Sequence, residues 1–192
     1  MRTKFITIGI VAVVGLYFII SYNGLVSKNE EVDGAWQNVE SDYQRRMDLI
    51  PNLVSTVGAY ADFEKSTLLA VTDARSKATQ VKIDANNLNA ENLKAFQEAQ
   101  GAVSSSLNRL LVTVEQYPNL KANQNFLELQ SELAGTENRI KVSRNDFNNA
   151  VKAYNKSVKS FPSNLVAGVF GFEPRVYFQA DAGAEKAPKV KF

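Results

Sequence analysis

The chain contains 192 residues, of which 45% are hydrophobic and 22% are charged, and its net charge is +2. This balance supports a packed core and argues against disorder. The sequence has no histidine and no cysteine, so it lacks the usual ligands of zinc, copper and haem and the common nucleophiles and bases of acyl transfer. We therefore expect no metal, no cofactor and no enzymatic activity. No basic stripe interleaved with aromatic residues is visible, so nucleic acid is not an expected partner either.

An uncharged run of 18 residues, 5–22, follows the first four residues of the chain. At a rise of about 1.5 Å per residue a helix of this length measures about 27 Å, enough to cross a bilayer core. A cleaved signal peptide is the alternative, but the residues after the run offer no convincing small-x-small cleavage site. A buried core helix rarely lacks charge over five turns. We predict an uncleaved anchor that contacts the bilayer through residues 5–22, including Phe5, Ile10, Val14, Phe18 and Tyr22.

The charges that flank this run predict its orientation. Arg2 and Lys4 precede it, whereas only Lys28 follows before three acidic residues between positions 30 and 33. Lysine and arginine near a span stay on the cytoplasmic side. The N-terminus is therefore expected inside, and residues 24–192 outside.

Four amphipathic helices are predicted after the anchor, because apolar residues recur at steps of three and four. They span about 25–61, 62–82, 90–116 and 123–161. Pro51 interrupts the first and predicts a kink near Met47–Pro51. Asn89 is the expected N-cap of the third helix. Pro118 and Pro162 mark the ends of the third and fourth helices.

The short connections between these helices favour an all-α fold, with an N-terminal transmembrane helix followed by an antiparallel up-and-down four-helix bundle. An extended coiled coil is the alternative, but the three breaks argue against it. The expected domains are the anchor at 1–23, the bundle at 24–161 and a C-terminal tail at 162–192. The expected core residues are Trp36, Phe96, Leu107, Leu133, Ile140 and Phe147.

The tail is apolar to about residue 178 and is expected to be mobile beyond it. Residues 176–178 have strand character. An up-and-down bundle returns its fourth helix to the membrane, so the uncharged stretch that follows is predicted to contact the membrane or a neighbouring subunit. The residues of this contact are Leu165, Val166, Val169, Phe170 and Phe172. Folding back over the end of their own bundle is the alternative.

Two charged groups interrupt the helical pattern. Arg45, Arg46 and Asp48 form a candidate contact for an anion or a partner, since arginine binds carboxylates through two parallel hydrogen bonds. An exposed helix face with weak local ion pairs is favoured over this contact. On the fourth helix the group consists of Glu132, Glu137, Arg139 and Arg144. Its carboxylates could serve as acid and base, but inter-helix salt bridges that set register are favoured.

Several runs of the sequence form a recognisable set. They are YNGLV at 22–26, AWQNVESDYQRRMDLIPNLVSTVGAYADFE at 35–64, YPNLKANQNFLELQSELAGTENRI at 117–140, SRNDFNNAVKAYN at 143–155 and FPSNLVAGVFGF at 161–172. In these runs the chain resembles the LemA family, in order over nearly all of residues 1–178. The resemblance implies a bacterial membrane protein with one N-terminal anchor and a four-helix bundle. It implies no biochemical activity and therefore no functional residues.

These observations predict a non-enzymatic, membrane-tethered helical scaffold or adaptor that associates with itself or with another membrane protein. The expected location is the bacterial inner membrane, crossed once, with the bundle on the extracytoplasmic side. The alternative is a membrane-anchored sensor that binds a small ligand or peptide in the bundle. A pocket of about 300 Å³ or more between helices would favour the sensor.

Overall fold

A computed structural model describes residues 2–60, 62–83, 85 and 88–179. The helices are α1 (Arg2–Gly58), α2 (Lys65–Gln80), α3 (Ala90–Val114), α4 (Pro118–Lys121), α5 (Gln124–Lys159) and α6 (Ser163–Phe170). The described residues contain no strand, which confirms the all-helical class. Residues 176–178 are irregular and not a strand, because no neighbouring strand pairs with them. The end that was expected to be mobile, from residue 180, lies outside the described residues.

The anchor and the first predicted domain helix form one helix, α1, of 57 residues. Its length is about 85 Å at the usual rise per residue. The prediction of a new helix that begins at about residue 25 is wrong, because α1 continues through this region, in which no proline lies between residues 23 and 35. α1 continues through Pro51 to Gly58, close to the predicted end at about residue 61. Met47, Ile50 and Leu53 are buried on either side of the proline, and their packing offsets the one backbone donor that it removes.

The other helices are arranged around the second half of α1. α5 packs along α1, α2 packs against α3 and α1, and α6 contacts both α5 and α1. Asn89 caps α3 as predicted, because its side chain accepts a hydrogen bond of 2.8 Å from the backbone N–H of Asn92.

The core has one buried cluster near the uncharged end of α1 and another near its far end. Trp36 lies in the nearer cluster and is fully buried. Its ring centroid lies 5.6 Å from those of Phe96 and Phe147 and 5.9 Å from that of Phe178. All six predicted core residues are buried: Trp36, Phe96, Leu107, Leu133, Ile140 and Phe147. Phe178 was not among them, and its burial brings the tail into the core.

Candidate functional site

A buried arginine lies where α1, α3 and α5 meet. Arg46 is 1% exposed. Its Nη1 donates to Glu137 Oε1 at 2.6 Å and to Ser104 Oγ at 2.8 Å. Its Nη2 donates to the backbone oxygen of Gln100 at 3.2 Å and to Gln100 Oε1 at 2.5 Å. The guanidinium therefore holds three helices in register.

Hydrogen bonding offsets the cost of burying this guanidinium, since a buried charge is tolerated only when it is paired and bonded. Its carbon also lies 5.0 Å from the centre of the Tyr43 ring, a cation–π contact. Nε alone has no hydrogen-bond partner among the described residues. Arg45 and Asp48, which were grouped with Arg46, lie on the exposed face of α1. The expectation of an exposed face therefore fits Arg45 and Asp48 but is wrong for Arg46, which is buried.

Three charged residues of the predicted group on α5 contact other parts of the chain. Glu137 pairs with Arg46, and Arg139 Nε lies 3.8 Å from Asp42 Oδ1 on α1. Inter-helix salt bridges are thus confirmed at both positions. Arg144 donates to the backbone oxygen of residue 179 at 3.2 Å. The described part of the chain contains no group of acidic residues able to hold a metal ion.

A cleft of about 640 Å³ opens between α1, α3 and the end of α2. Tyr43, Met47, Phe96 and Ile83 contribute apolar surface to it, and Gln100 is part of its lining. Gln100 also accepts the hydrogen bond from Arg46. A molecule in the cleft would therefore lie one side chain away from the buried arginine.

Two asparagines of α5 hold the tail against the helices. Asn155 accepts from the backbone N–H of Arg175 at 2.8 Å and donates to its carbonyl oxygen at 2.8 Å. Asn148, two turns earlier, makes the same pair with Phe178, at 2.9 and 3.3 Å. The side-chain amides thus replace a neighbouring strand. This clamp was not predicted, although two asparagines seven residues apart share one helix face.

The side chain of Arg175 ties the same segment to α1. Its Nη2 donates to Asn29 Oδ1 at 2.9 Å and to Asp33 Oδ1 at 3.2 Å, and its Nη1 donates to the backbone oxygen of Ala85 at 2.9 Å. Burial raises the pKa of the nearby Tyr154 hydroxyl, while the Arg175 guanidinium acts in the opposite direction. Tyr154 therefore stays neutral at physiological pH.

The uncharged run and the predicted contact stretch meet at the first turns of the domain. The Tyr22 ring centroid lies 4.8 Å from that of Phe170 and 5.7 Å from that of Phe172. Val166 is fully buried, whereas Val169 is 71% exposed. The other predicted contact residues divide in the same way: Leu165 and Phe170 are exposed, and Phe172 is half-buried.

The predicted bilayer residues lie along an exposed helix. Phe5, Ile10 and Val14 are 72%, 60% and 51% exposed, Tyr22 is exposed, and Phe18 is half-buried. The most apolar 18-residue window of α1 has a mean hydropathy of 2.3 and buries none of its residues within the chain. α1 is thus a candidate transmembrane helix, by length and composition.

The sequence matches a protein-family model. This family model is that of the LemA family, and it matches residues 35–192 of the chain. The match leaves out only the first four residues, the uncharged run and the residues of α1 that follow it up to residue 34.

Curated relatives align over most of the chain. The magnetosome protein MamQ 2 of Paramagnetospirillum magneticum is 29% identical over 178 residues, covering 84% of this chain and 65% of its own length. The magnetosome protein MamQ of Magnetospirillum gryphiswaldense is 27% identical, covering 83% and 65%. The protein LemA of Metamycoplasma hominis is 24% identical, covering 87% and 74%. The chain thus spans slightly less than two thirds of the MamQ proteins.

Proposed function

The chain belongs to the LemA family, and from that premise we propose that it is a non-enzymatic, membrane-tethered helical scaffold or adaptor that associates with copies of itself or with another membrane protein. The observation that carries the proposal is the continuity of α1. One helix runs from a stretch with no fully buried residue into the most buried part of the domain, at Val32, Trp36 and Val39. Such a helix transmits position and orientation without a flexible linker.

The finer architecture belongs to the same proposal. Residues 5–22 cross the bacterial inner membrane, and the second half of α1 forms an antiparallel up-and-down four-helix bundle with α2, α3 and α5. The pairs α1–α5 and α2–α3 are adjacent, which supports this arrangement. The basic residues before the span support an extracytoplasmic bundle.

The exposed face of α1 offers a contact for a partner. Arg45 and Asp48 lie there, on the opposite side of the helix from Met47 and Ile50, which are buried. An ion pair across an interface mainly supplies specificity and association rate. We therefore place the partner contact of the scaffold at Arg45 and Asp48.

Affinity capture tests the scaffold. A tagged full-length chain would be co-expressed with an untagged one, and membranes would be solubilised in a mild detergent. We expect the tagged chain to retain the untagged copy or a membrane protein in a defined ratio, and Arg45→Glu to reduce the retention. Lys94→Glu, at a 73% exposed side chain on α3, is the control. A monomer that retains neither would overturn the proposal.

A sensor is the second candidate, and the cleft favours it. Its volume of about 640 Å³ lies within the usual range for small-molecule sites, about 300–1,000 Å³. A ligand in contact with Gln100 would act on the Arg46 hydrogen bonds and so on α5.

Native mass spectrometry tests the sensor. The full-length chain in nanodiscs would be exposed to a bacterial extract of small molecules. We expect a bound mass that is lost in Gln44→Trp, because Gln44 lines the cleft. It should be retained in Gln124→Trp at the start of α5. Absence of any bound mass would count against the sensor.

A further inference from the structure

An apolar surface lies beside the end of the uncharged run. Helix α6 carries no charged residue. Val166 and Ala167 are buried against the rest of the domain, whereas Leu165, Val169 and Phe170 are 53%, 71% and 53% exposed. Leu165 and Val169 are one helical turn apart and share the outward face. Apolar side chains grouped in this way mark a contact with another protein or with a membrane.

The position of α6 identifies which contact this is. Tyr22 ends the uncharged run, and its ring packs on Phe170 and Phe172. If residues 5–22 cross the bilayer, Tyr22 lies at the membrane–water interface, where tyrosines are enriched. α6 then lies at the same height. Its eight residues make a helix of about 12 Å, too short to span a bilayer but long enough to lie in its surface.

Basic side chains border this apolar surface. Lys156 and Lys159 are exposed in the last turn of α5, just before α6 begins. Lys28 of α1 donates a hydrogen bond to the Ser157 hydroxyl and so lies at the same level. Glu173 is the one acidic residue in the sequence 156–179. Apolar residues next to lysines form the usual pattern of a helix that binds anionic lipid surfaces.

We propose that α6 is a membrane-surface helix that inserts Leu165, Val169 and Phe170 at the boundary between headgroups and acyl chains, while the neighbouring lysines contact anionic headgroups. The inference rests on the anchor of the proposed function. The helical domain is then held by the bilayer at two points, and one face of it is always turned toward the lipid.

Because the chain has no cysteine, a nitroxide label can be placed at any single introduced one. The labelled sites would be Val169→Cys, Val112→Cys on α3 as a control of matched exposure (71% and 69%), and Val13→Cys in the uncharged run as the lipid reference (68%). Full-length chains would be placed in nanodiscs of phosphatidylcholine and phosphatidylglycerol. Collision rates with oxygen, which enters lipid, and with a water-soluble nickel chelate would be measured by electron paramagnetic resonance.

We expect the ratio of oxygen to nickel collisions at 169 to be several-fold higher than at 112 and to approach the ratio at 13. A water-like ratio at 169 with a lipid-like ratio at 13 overturns the inference and leaves the anchor intact. Water-like ratios at both sites overturn the anchor as well. Low collision rates with both reagents at 169 overturn the inference in favour of a protein contact.

The lysines have their own test. Lys156→Glu combined with Lys159→Glu should lower the ratio at 169 in nanodiscs that contain phosphatidylglycerol and leave it unchanged in pure phosphatidylcholine. If the two substitutions leave the oxygen-to-nickel ratio at 169 unchanged in nanodiscs that contain phosphatidylglycerol, the headgroup contact is overturned. Circular dichroism would check that the variants are folded.

Discussion

Arg46 on α1 and Glu137 on α5 form an ion pair of 2.6 Å in which the arginine is 1% exposed and the glutamate is 45% exposed. The two ends of the pair are therefore in different environments. Glu137 keeps part of its hydration, so its burial costs little, whereas the guanidinium depends on its partners. Arg46 is thus a buried cation whose counter-charge, Glu137, lies at the surface of the domain.

Removing the carboxylate should destabilise the domain. We expect Glu137→Ala to lower the free energy of unfolding by about 1–3 kcal/mol, because it leaves the buried guanidinium without its counter-charge. Urea unfolding of the full-length chain in detergent would measure the loss. Arg45→Ala, at the exposed neighbour, should stay within about 0.5 kcal/mol. Equal effects of the two substitutions would show that the pair adds nothing to stability.

A core leucine offers a test of the packing. Leu133 is 5% exposed, and Leu127 on the same helix is 43% exposed. Leu133→Ala should cost about 2–5 kcal/mol of unfolding free energy, because it removes buried methyl groups and leaves a cavity. Leu127→Ala should cost much less. A loss below about 1 kcal/mol at Leu133 would mean that this face of α5 is not in the core.

The asparagine clamp predicts coupling between the tail and Trp36. Asn155→Ala removes both hydrogen bonds to the Arg175 backbone, so residues 173–179 should exchange amide hydrogen faster. The stacking of Phe178 on Trp36 should also weaken, which changes the emission of the one tryptophan. The exposed neighbour Asn149→Ala is the control. Unchanged exchange in Asn155→Ala would refute the clamp.

The proline in α1 should be replaceable. Pro51 is exposed, and an interior proline costs a helix about 3 kcal/mol relative to alanine. We expect Pro51→Ala to raise the melting temperature, because it restores a backbone donor without disturbing buried contacts. Ser55→Ala, one turn later, should have a small effect. Loss of the folded state in Pro51→Ala would show that packing requires the local geometry of the proline.

The raised pKa of Tyr154 implies that the free energy of unfolding falls at alkaline pH. Burial raises the pKa of its hydroxyl in the folded chain, so the folded state holds this proton more tightly than the unfolded state. Its contribution is complete below the unfolded pKa of about 10 and is lost as pH rises through the higher folded value. The unfolding free energy should therefore fall less steeply above about pH 10 in Tyr154→Phe. Parallel curves for the two proteins would contradict the prediction.

Much of the fold was predictable because helices are local structures. Spacings of three and four residues placed Trp36 and Phe147 correctly in the core, and the uncharged run identified the candidate span. The prediction of a separate helix from about residue 25 was wrong. The composition changes there from uniformly apolar to amphipathic, which changes what the helix packs against but does not end the helix. The interpretation of 162–192 as a tail missed α6 and the burial of Phe178.

The faces of the helices and the apolar N-terminal run follow from residues that are close in sequence, since periodicity and charge are local properties. The partners of Arg46 and the path of the segment around Arg175 follow from packing alone. Arg46 binds Gln100 and Glu137, which lie 54 and 91 residues away, and Arg175 binds Asn29, which lies 146 residues away. No local pattern specifies which turn of one helix lies opposite which turn of another, so these contacts exist only once the helices are packed together.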